Sequence, residues 1–269
     1  MSEQVGNCLP SSLHLKNETP VFSERLLEKL TSATSVVALT GAGISAESGV
    51  PTFRGNEGLW KKFKPEELAN FDAFIKNPDL VWEWYAYRKK LTAEVKPNPG
   101  HFALAEMEKL FQNFAVITQN IDNLHRRAGS LIVYELHGNI ERNYCIDCGR
   151  RYRNEELALG PSAPHCVACN GLIRPDVVWF GELLPSDQWE LAERAARDAD
   201  VFFSIGTSAI VYPAASLPML AKENGAYLVE INSEMTPLSH YADETLLGKS
   251  GEVLPGLVAA IKEKQITRD

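Results

Sequence analysis

The chain holds 269 residues, 45% of them hydrophobic, enough to bury a sizeable core in one large domain with room for a smaller appended one. Its formal net charge of −8 gives no general attraction to nucleic-acid backbone or anionic lipid, and partners carrying cationic lysines suit it better. No stretch approaches the length of a membrane span, and the polar first twenty residues carry Lys16 as their only Lys or Arg, which argues against a presequence and predicts a cytoplasmic protein.

Residues 1–20 contain Pro10 and Pro20 and show no periodicity, so a mobile leader is expected there. A helix-like segment over Phe22 to Thr31 leads into Ser35-Val36-Val37-Ala38-Leu39-Thr40, a short β-branched run of the kind a buried parallel strand requires. Directly after it, Gly41-Ala42-Gly43-Ile44-Ser45-Ala46 fits the G-x-G-x-x-G/A pattern of a dinucleotide turn. Gly41 would permit the tight turn and Gly43 a close backbone approach to a pyrophosphate. A glycine pair after a strand is also an ordinary turn, and the acidic residue usually found about 20 positions further on is not cleanly placed. The chain instead enters Pro51-Thr52-Phe53-Arg54-Gly55, which disfavours an ordinary dehydrogenase.

Residues 55–100 are aromatic-rich and helix-like, an insertion on the α/β rhythm. Within them Asn77 reads as the N-cap and Pro78 as the first residue of a helix running to Lys90. Val81, Tyr85 and Arg88 fall at i, i+4 and i+7 and share one face of it. An arginine on an apolar face calls for an anion nearby. By periodicity alone, Arg88 reads first as a solvated residue beside Lys89 and Lys90, or as one salt-bridged within the lobe, since charged helix residues usually face water.

A helix over Phe102 to Phe111 precedes a second strand, Phe114 to Thr118, which ends in Gln119-Asn120-Ile121-Asp122. Further strand-like runs lie at Leu131 to Leu136, Val201 to Ile205 and Tyr227 to Ile231, with helical patterns over Ser186 to Ala199 and Ala214 to Asn224. Strands interleaved with helices predict an α/β fold, a Rossmann-type parallel sheet covered on both faces. Gly206-Thr207-Ser208 and Asn232-Ser233-Glu234 close two of the later strands. Any one such cluster is an everyday strand-ending turn or helix cap, but three at the carboxyl edge of one sheet favour a cofactor site.

Between these strands, residues 141–174 are short, charged and cysteine-bearing. Cys145-x2-Cys148, seventeen intervening residues, then Cys166-x2-Cys169 has the spacing of a four-cysteine zinc ribbon. Four thiolates close the tetrahedron, so one structural Zn2+ is expected and no open position for chemistry. His165 adjoins Cys166 but is not needed as a ligand. Cys8 stands alone near the terminus.

Gly41-Ala42-Gly43-Ile44-Ser45 with Gly49-Val50-Pro51-Thr52-Phe53-Arg54, then Thr118-Gln119-Asn120-Ile121-Asp122, Leu136-His137-Gly138 and the paired cysteines resemble the sirtuin family in wording and in order. Val177-Val178-Trp179-Phe180-Gly181-Glu182, Gly206-Thr207-Ser208 and Ile231-Asn232 extend the likeness from about residue 21 to about residue 262. The resemblance implies an NAD-dependent protein-lysine deacylase. Its Rossmann-type domain would comprise residues 21–54, 101–140 and 175–265, and its small lobe a helical insertion at 55–100 and a zinc ribbon at 141–174.

Carried to matching positions, the family's roles make His137 the general base for a ribose hydroxyl. A histidine after a strand is, by itself, more often a cap or core residue, yet imidazole suits the task because its ordinary pKa lies near operating pH. The implied NAD contacts are Gly41, Ala42, Gly43, Thr52, Phe53, Arg54, Trp60, Gln119, Asn120, Ile121, Asp122, Gly206, Thr207, Ser208, Asn232, Ser233, Glu234 and Ser250. Val178, Phe180 and Gly181 would flank the acyl-lysine, while His101 and His125 read as structural or cofactor-adjacent. Tyr85 and Arg88 resemble the pair that binds the terminal carboxylate in the desuccinylase branch, a task suited to arginine's bidentate geometry. Expected partners are acylated-lysine proteins or peptides, with no direct nucleic acid, no membrane and a monomeric chain. ADP-ribosyl transfer, and a non-catalytic NAD or zinc-ribbon module, remain the competing readings.

Overall fold

In the computed structural model residues 22–51, 68–158 and 160–267 are described. The expected leader with Cys8, and Thr52, Phe53, Arg54 and Trp60, lie outside them. Among the described residues nine strands follow in chain order: β1 (Ser35–Thr40), β2 (Asn113–Thr118), β3 (Val133–Glu135), β4 (Gly138–Cys145), β5 (Arg151–Arg153), β6 (Ile173–Val177), β7 (Val201–Ile205), β8 (Tyr227–Asn232) and β9 (Glu244–Leu247). Six form a parallel sheet in the order β3-β2-β1-β7-β8-β9, and three form a small antiparallel sheet in the order β5-β4-β6.

Alternate residues of a strand face opposite sides, and β1 uses both. Val36 and Ala38 enter one buried cluster with Leu26, Leu30, Leu104, Met107, Leu257 and Ile261, from the helices Glu24–Ser32, Pro99–Met107 and Ser250–Ile266. Val37 and Leu39 enter another with Ala192, Ala196, Leu217 and Ala221, from the helices Ser186–Arg197 and Leu217–Glu223. Burial on both faces explains why the run is apolar throughout rather than alternating.

Strand order reverses between β1 and β7, the crevice where open α/β sheets bind ligands. Two turns meet there through backbone alone. The Gly43 N–H donates to the Gly206 carbonyl at 2.8 Å, and a Cβ on Gly43 would stand 2.7 Å from the Gly206 Cα. Gly206 has φ +58°, and a Cβ on it would lie 2.6 Å from the Ile44 nitrogen. The space left by the missing Gly43 side chain is thus filled by Gly206, an internal contact that the sequence pattern does not disclose.

One expected strand is halved, and two elements were not expected. The run from Leu131 to Leu136 narrows to β3, because the Glu108 carboxylate takes the backbone N–H groups of Leu131 and Ile132 at 2.8 and 3.0 Å. The chain end adds β9 and the Ser250–Ile266 helix, neither anticipated: β9 is a short, half-exposed edge strand, and Pro255 interrupts the helical pattern.

The helix Pro78–Glu94 begins as expected, the Asn77 side chain accepting from the Leu80 N–H at 3.3 Å. It buries two sides. Val81, Trp84 and Tyr85 pack with Phe74, Ile140, Val177 and Trp179, while Trp82 packs with Tyr152 and Ile173 of the small sheet. Among the described residues no helix is long and apolar enough to cross a membrane.

Gly43→Ala and Gly206→Ala are each expected to cost about 1–3 kcal/mol by overpacking. Calorimetry should then show the thermal midpoint lowered by roughly 5 °C for a domain of this size. Gly160→Ala, whose Cβ meets nothing within 4 Å, is the control and leaves the midpoint in place.

Candidate active site and metal centre

At the carboxyl edge of β1 and β2 a buried polar network is assembled from four segments. The Asn120 side chain donates to the Gly41 carbonyl at 2.9 Å and to Ser45 Oγ at 3.1 Å, and its backbone N–H is held by Thr118 Oγ1 at 3.0 Å. Asp122 accepts from Ser45 Oγ at 2.7 Å and from the Leu124 N–H at 2.9 Å. Burial raises the Asp122 carboxyl above its ordinary pKa, opposed by those two donors and by the charges of Arg88 and Arg127.

Behind them, Thr40 Oγ1 lies 2.9 Å from both Thr118 Oγ1 and His125 Nε2. His101 Nδ1 accepts the Asn98 N–H at 3.3 Å, which puts its proton on Nε2, 3.5 Å from Ser45 Oγ. Burial lowers His101 to about 4 and His125 well below its ordinary value, so both rings are neutral. An open pocket lies at this edge, with Ala42, Ser45, Asn120, Ile121, Asp122 and Arg88 among its lining.

Other expected residues meet at the ends of β7 and β8. Gln119 Nε2 donates to Thr207 Oγ1 at 3.1 Å, and Asn232 Nδ2 donates to the Thr207 carbonyl at 3.0 Å. Ser208 is half-buried, Ser233 and Glu234 are exposed, and Ser250 is buried against Gly100 at the start of the last long helix.

His137 sits between β3 and β4, and its neighbour fixes it. Gly138 has φ +78°, and a Cβ there would lie 2.1 Å from the Asp176 carbonyl oxygen, so only glycine lets β4 start against β6. The Val178 N–H donates to the His137 carbonyl at 2.9 Å. His137 Nδ1 lies 2.9 Å from the Gln119 carbonyl oxygen. A carbonyl only accepts, so Nδ1 carries the proton and Nε2 presents a lone pair. Burial lowers the pKa of this half-buried ring, opposed by that bond, which leaves a neutral imidazole at neutral pH. Phe180 and Gly181, just past Val178, are exposed, and the Phe180 N–H is anchored on the Ala69 carbonyl at 2.9 Å.

Arg88 is 9% exposed and is therefore not a solvated helix residue. Its guanidinium carbon lies 4.7 Å from the Trp84 ring centroid and 5.6 Å from that of Tyr85, and its charge acts on Asp122. Tyr85 is not among the lining residues of the cavity. It is buried, and its oxygen accepts from Trp179 Nε1 at 2.8 Å. Lys89 is buried too: Nζ donates to the Ile140 carbonyl and to the Asn143 and Asn154 side-chain oxygens, the latter two at 2.8 Å each. Desolvation brings its pKa down to about 7.

Ser45, Thr118 and Lys89 were missing from the expected set. Ser45 and Thr118 stand inside the quoted motifs. Lys89 falls with Trp82, Tyr85 and Thr92 at i, i+3, i+7 and i+10, a spacing that marks one buried seam.

The four cysteine Sγ atoms all lie within 4.8 Å of one another. The Cys145–Cys169 and Cys148–Cys166 separations are 3.4 and 3.6 Å. Zinc–sulfur bonds of about 2.3 Å imply tetrahedron edges of roughly 3.8 Å, so the four thiols fit one Zn2+. Each knuckle closes on a left-handed residue, Gly149 at φ +72° and Asn170 at φ +63°. His165 turns Nδ1 to the Asn170 carbonyl at 2.8 Å and stands outside the thiol cluster. Elemental analysis should find one zinc per chain; Cys145→Ser should release it and lower the thermal midpoint, and full retention of zinc would rule the cluster out.

The Sir2 family description matches residues 41–213. The NAD-dependent protein deacylase of Aquifex aeolicus is 52% identical over 230 residues, spanning 86% of this chain and 96% of that protein. A solved complex of a Sir2 homologue with NAD matches with a TM-score of 0.85 at 46% identity, over 93% of this chain and 97% of the other. A Sir2 structure bound to acetylated peptide matches at 0.78 and 35% identity, over 90% and 98%. On family match, identity and fold together, this chain belongs to the Sir2 family, the sirtuins.

Proposed function

We propose that this protein is an NAD-dependent protein-lysine deacylase that removes succinyl, malonyl or glutaryl groups, and acetyl more weakly, yielding nicotinamide, 2′-O-acyl-ADP-ribose and free lysine. The observation that carries the reading is the tautomer of His137: Nδ1–H is committed to the Gln119 carbonyl, leaving Nε2 as a neutral base joined to the strand end that bears Asn120 and Asp122. The carboxyl edge fits a dinucleotide, since the β1–β7 switch point lies along it and Ser45, Asn120 and Asp122 present fixed polar groups in the pocket beside it. Bound NAD supplies an electrophilic ribose carbon with nicotinamide as its leaving group.

The chain's own residues then divide the work. The Gly41–Gly43 turn, Gly206, Thr207 and Ser208, with Asn232, Ser233, Glu234 and Ser250, hold the dinucleotide; Asn120, Ile121 and Asp122 fix its nicotinamide side. His137 Nε2 takes the proton of the ribose hydroxyl that receives the acyl group. Val178, Phe180 and Gly181 flank the acyl-lysine. Arg54, Phe53 and the glycine loop hold the pyrophosphate and screen the ribose carbon from water, with Thr52 and Trp60 as further cofactor contacts, roles that rest on family resemblance. The helical insertion at 55–100 and the zinc ribbon at 141–174 make up the small lobe, the acyl-lysine enters the cleft between it and the large domain, and the zinc stabilises that lobe without chemistry of its own. Metal-ligating thiols require a reducing compartment, which supports a cytoplasmic location.

For the acidic acyl group, the support is a buried arginine on the cavity wall. A desolvated guanidinium favours an anionic partner, and a carboxylate supplies one bidentately. Asp122 gives Arg88 an acidic neighbour within the protein as well.

His137→Ala should lower deacylation by at least about a hundredfold, with zinc content and thermal midpoint retained; undiminished turnover removes His137 from the base role. Only the neutral ring accepts a proton, and the His137 pKa is lowered, so the acid limb of kcat/KM should fall below pH 6.5. A limb above pH 6.5 would contradict a desolvated base. Arg88→Met should reduce the ratio of kcat/KM for succinyl-lysine over acetyl-lysine peptide by at least about tenfold, whereas equal losses on both peptides would refute the pocket assignment.

A further inference from the structure

The reading of Tyr85 and Arg88 leaves open what decides which way the tyrosine hydroxyl points. Trp179, from the loop after β6, is 2% exposed and donates its indole N–H to the Tyr85 oxygen at 2.8 Å, across 94 residues of sequence. An indole N–H is a donor only. The Tyr85 oxygen is therefore the acceptor in this bond, and its own proton must go elsewhere. Among the described residues no acceptor takes it. Burial raises the phenol above its ordinary pKa, so the proton stays on.

The indole cannot turn away. Its backbone N–H donates to Glu182 Oε2 at 2.7 Å, and Arg174 grips the same carboxylate through both terminal nitrogens while donating to the Val177 carbonyl at 2.8 Å. The Arg174 guanidinium lies 3.4 Å from the Trp179 ring centroid, and the Phe74 ring packs at 5.2 Å. The ring thus links the loop bearing Val178, Phe180 and Gly181 to the helix bearing Tyr85 and Arg88. Trp84 meets Tyr85 edge-on at 4.7 Å and carries Arg88 over its face, so a change in Tyr85 is felt at the guanidinium.

We propose that Trp179 is a specificity-determining positioning residue: its N–H holds the Tyr85 oxygen as an acceptor, so that Tyr85 and Arg88 both present donors and the pocket selects acyl groups ending in a carboxylate. This rests on the acyl-pocket reading above. A phenylalanine in its place keeps the packing but leaves the Tyr85 oxygen with the Arg88 guanidinium as its remaining donor, drawing on the guanidinium and loosening the hydroxyl. The cost should fall on substrates with an anionic terminus.

Trp179→Phe, Tyr85→Phe, the double variant and Arg88→Met are compared with the unaltered protein on three peptides of one sequence, carrying succinyl-lysine, its neutral succinamoyl analogue, or acetyl-lysine. Zinc content and thermal midpoint serve as controls for folding. Trp179→Phe should raise KM for the succinyl peptide and lower its kcat/KM relative to both neutral peptides by about tenfold, the order expected for loss of one hydrogen bond to a charged group. The double variant should lose no more than the larger single loss, because both changes break one relay. Equal loss on all three peptides, or additive losses in the double variant, overturns the proposal. Should Trp179→Phe fail to fold, Trp179→Leu also removes the indole N–H and is read in the same way, whereas Tyr85→Phe deletes the hydroxyl that meets the carboxylate and reports on the acyl pocket alone. If Arg88→Met alone alters the ratio, the acyl-pocket reading survives and this inference falls; if Arg88→Met leaves the ratio unchanged, both fall.

Discussion

The contact of Gly43 with Gly206 is the constraint on which the site's geometry depends. It brings the turn after β1 against the turn after β7 with no side chain between them, and the Gly43 N–H is consumed in the contact. Once those turns touch, the Gly41 carbonyl faces the Asn120 amide and Ser45 comes within reach of Asn120 and Asp122. A methyl group at either glycine would separate the two turns, and the polar network beside them would lose its registry. The glycines therefore set the shape of that edge. In this structure they serve first as a backbone contact within the chain.

The small sheet is tied to this edge by one helix buried on two sides. Pro78–Glu94 sends Trp82 and Lys89 toward the zinc-ribbon strands, and Trp84, Tyr85 and Arg88 toward Trp179 and the cavity. Lys89 is held by three oxygens from β4 and the turn after β5, so its ammonium is satisfied although buried. The thiol cluster at the end of β4 consequently bears on the pocket: Asn143, which receives Lys89, lies two residues before Cys145.

Much of the sheet could be read from sequence because parallel strands buried on both faces write themselves as unbroken apolar runs. β1 and β7 have their expected bounds, and β2 and β8 each gain one residue. β9 escaped notice because an edge strand is half-exposed and short, and β3 shrank because a distant carboxylate, Glu108, claimed the backbone donors that a longer strand would have used. The cysteine spacing carried the metal cluster in full, since knuckle geometry is local. The Tyr85–Trp179 bond was not legible, because no local rule relates residues so far apart. Lys89 was legible by spacing yet masked by its residue type: a charge beside Arg88 and Lys90 suggests solvent, whereas its position on the Trp82–Thr92 seam demands burial.

Three histidines near the site are neutral for one reason and differ in use for another. Desolvation lowers the pKa of His101, His125 and His137 alike. What separates them is the occupant of Nδ1. In His101 it accepts a backbone N–H, so Nε2 carries the proton and the ring serves as a donor toward Ser45. In His125 it has no partner among the described residues, while Nε2 is engaged by Thr40 in a fully enclosed position. Only His137 gives its Nδ1 proton to a carbonyl and keeps a half-buried ring with Nε2 unprotonated. Residue type and pKa direction leave three candidates for a proton acceptor; the hydrogen-bond partner of a single nitrogen reduces them to one.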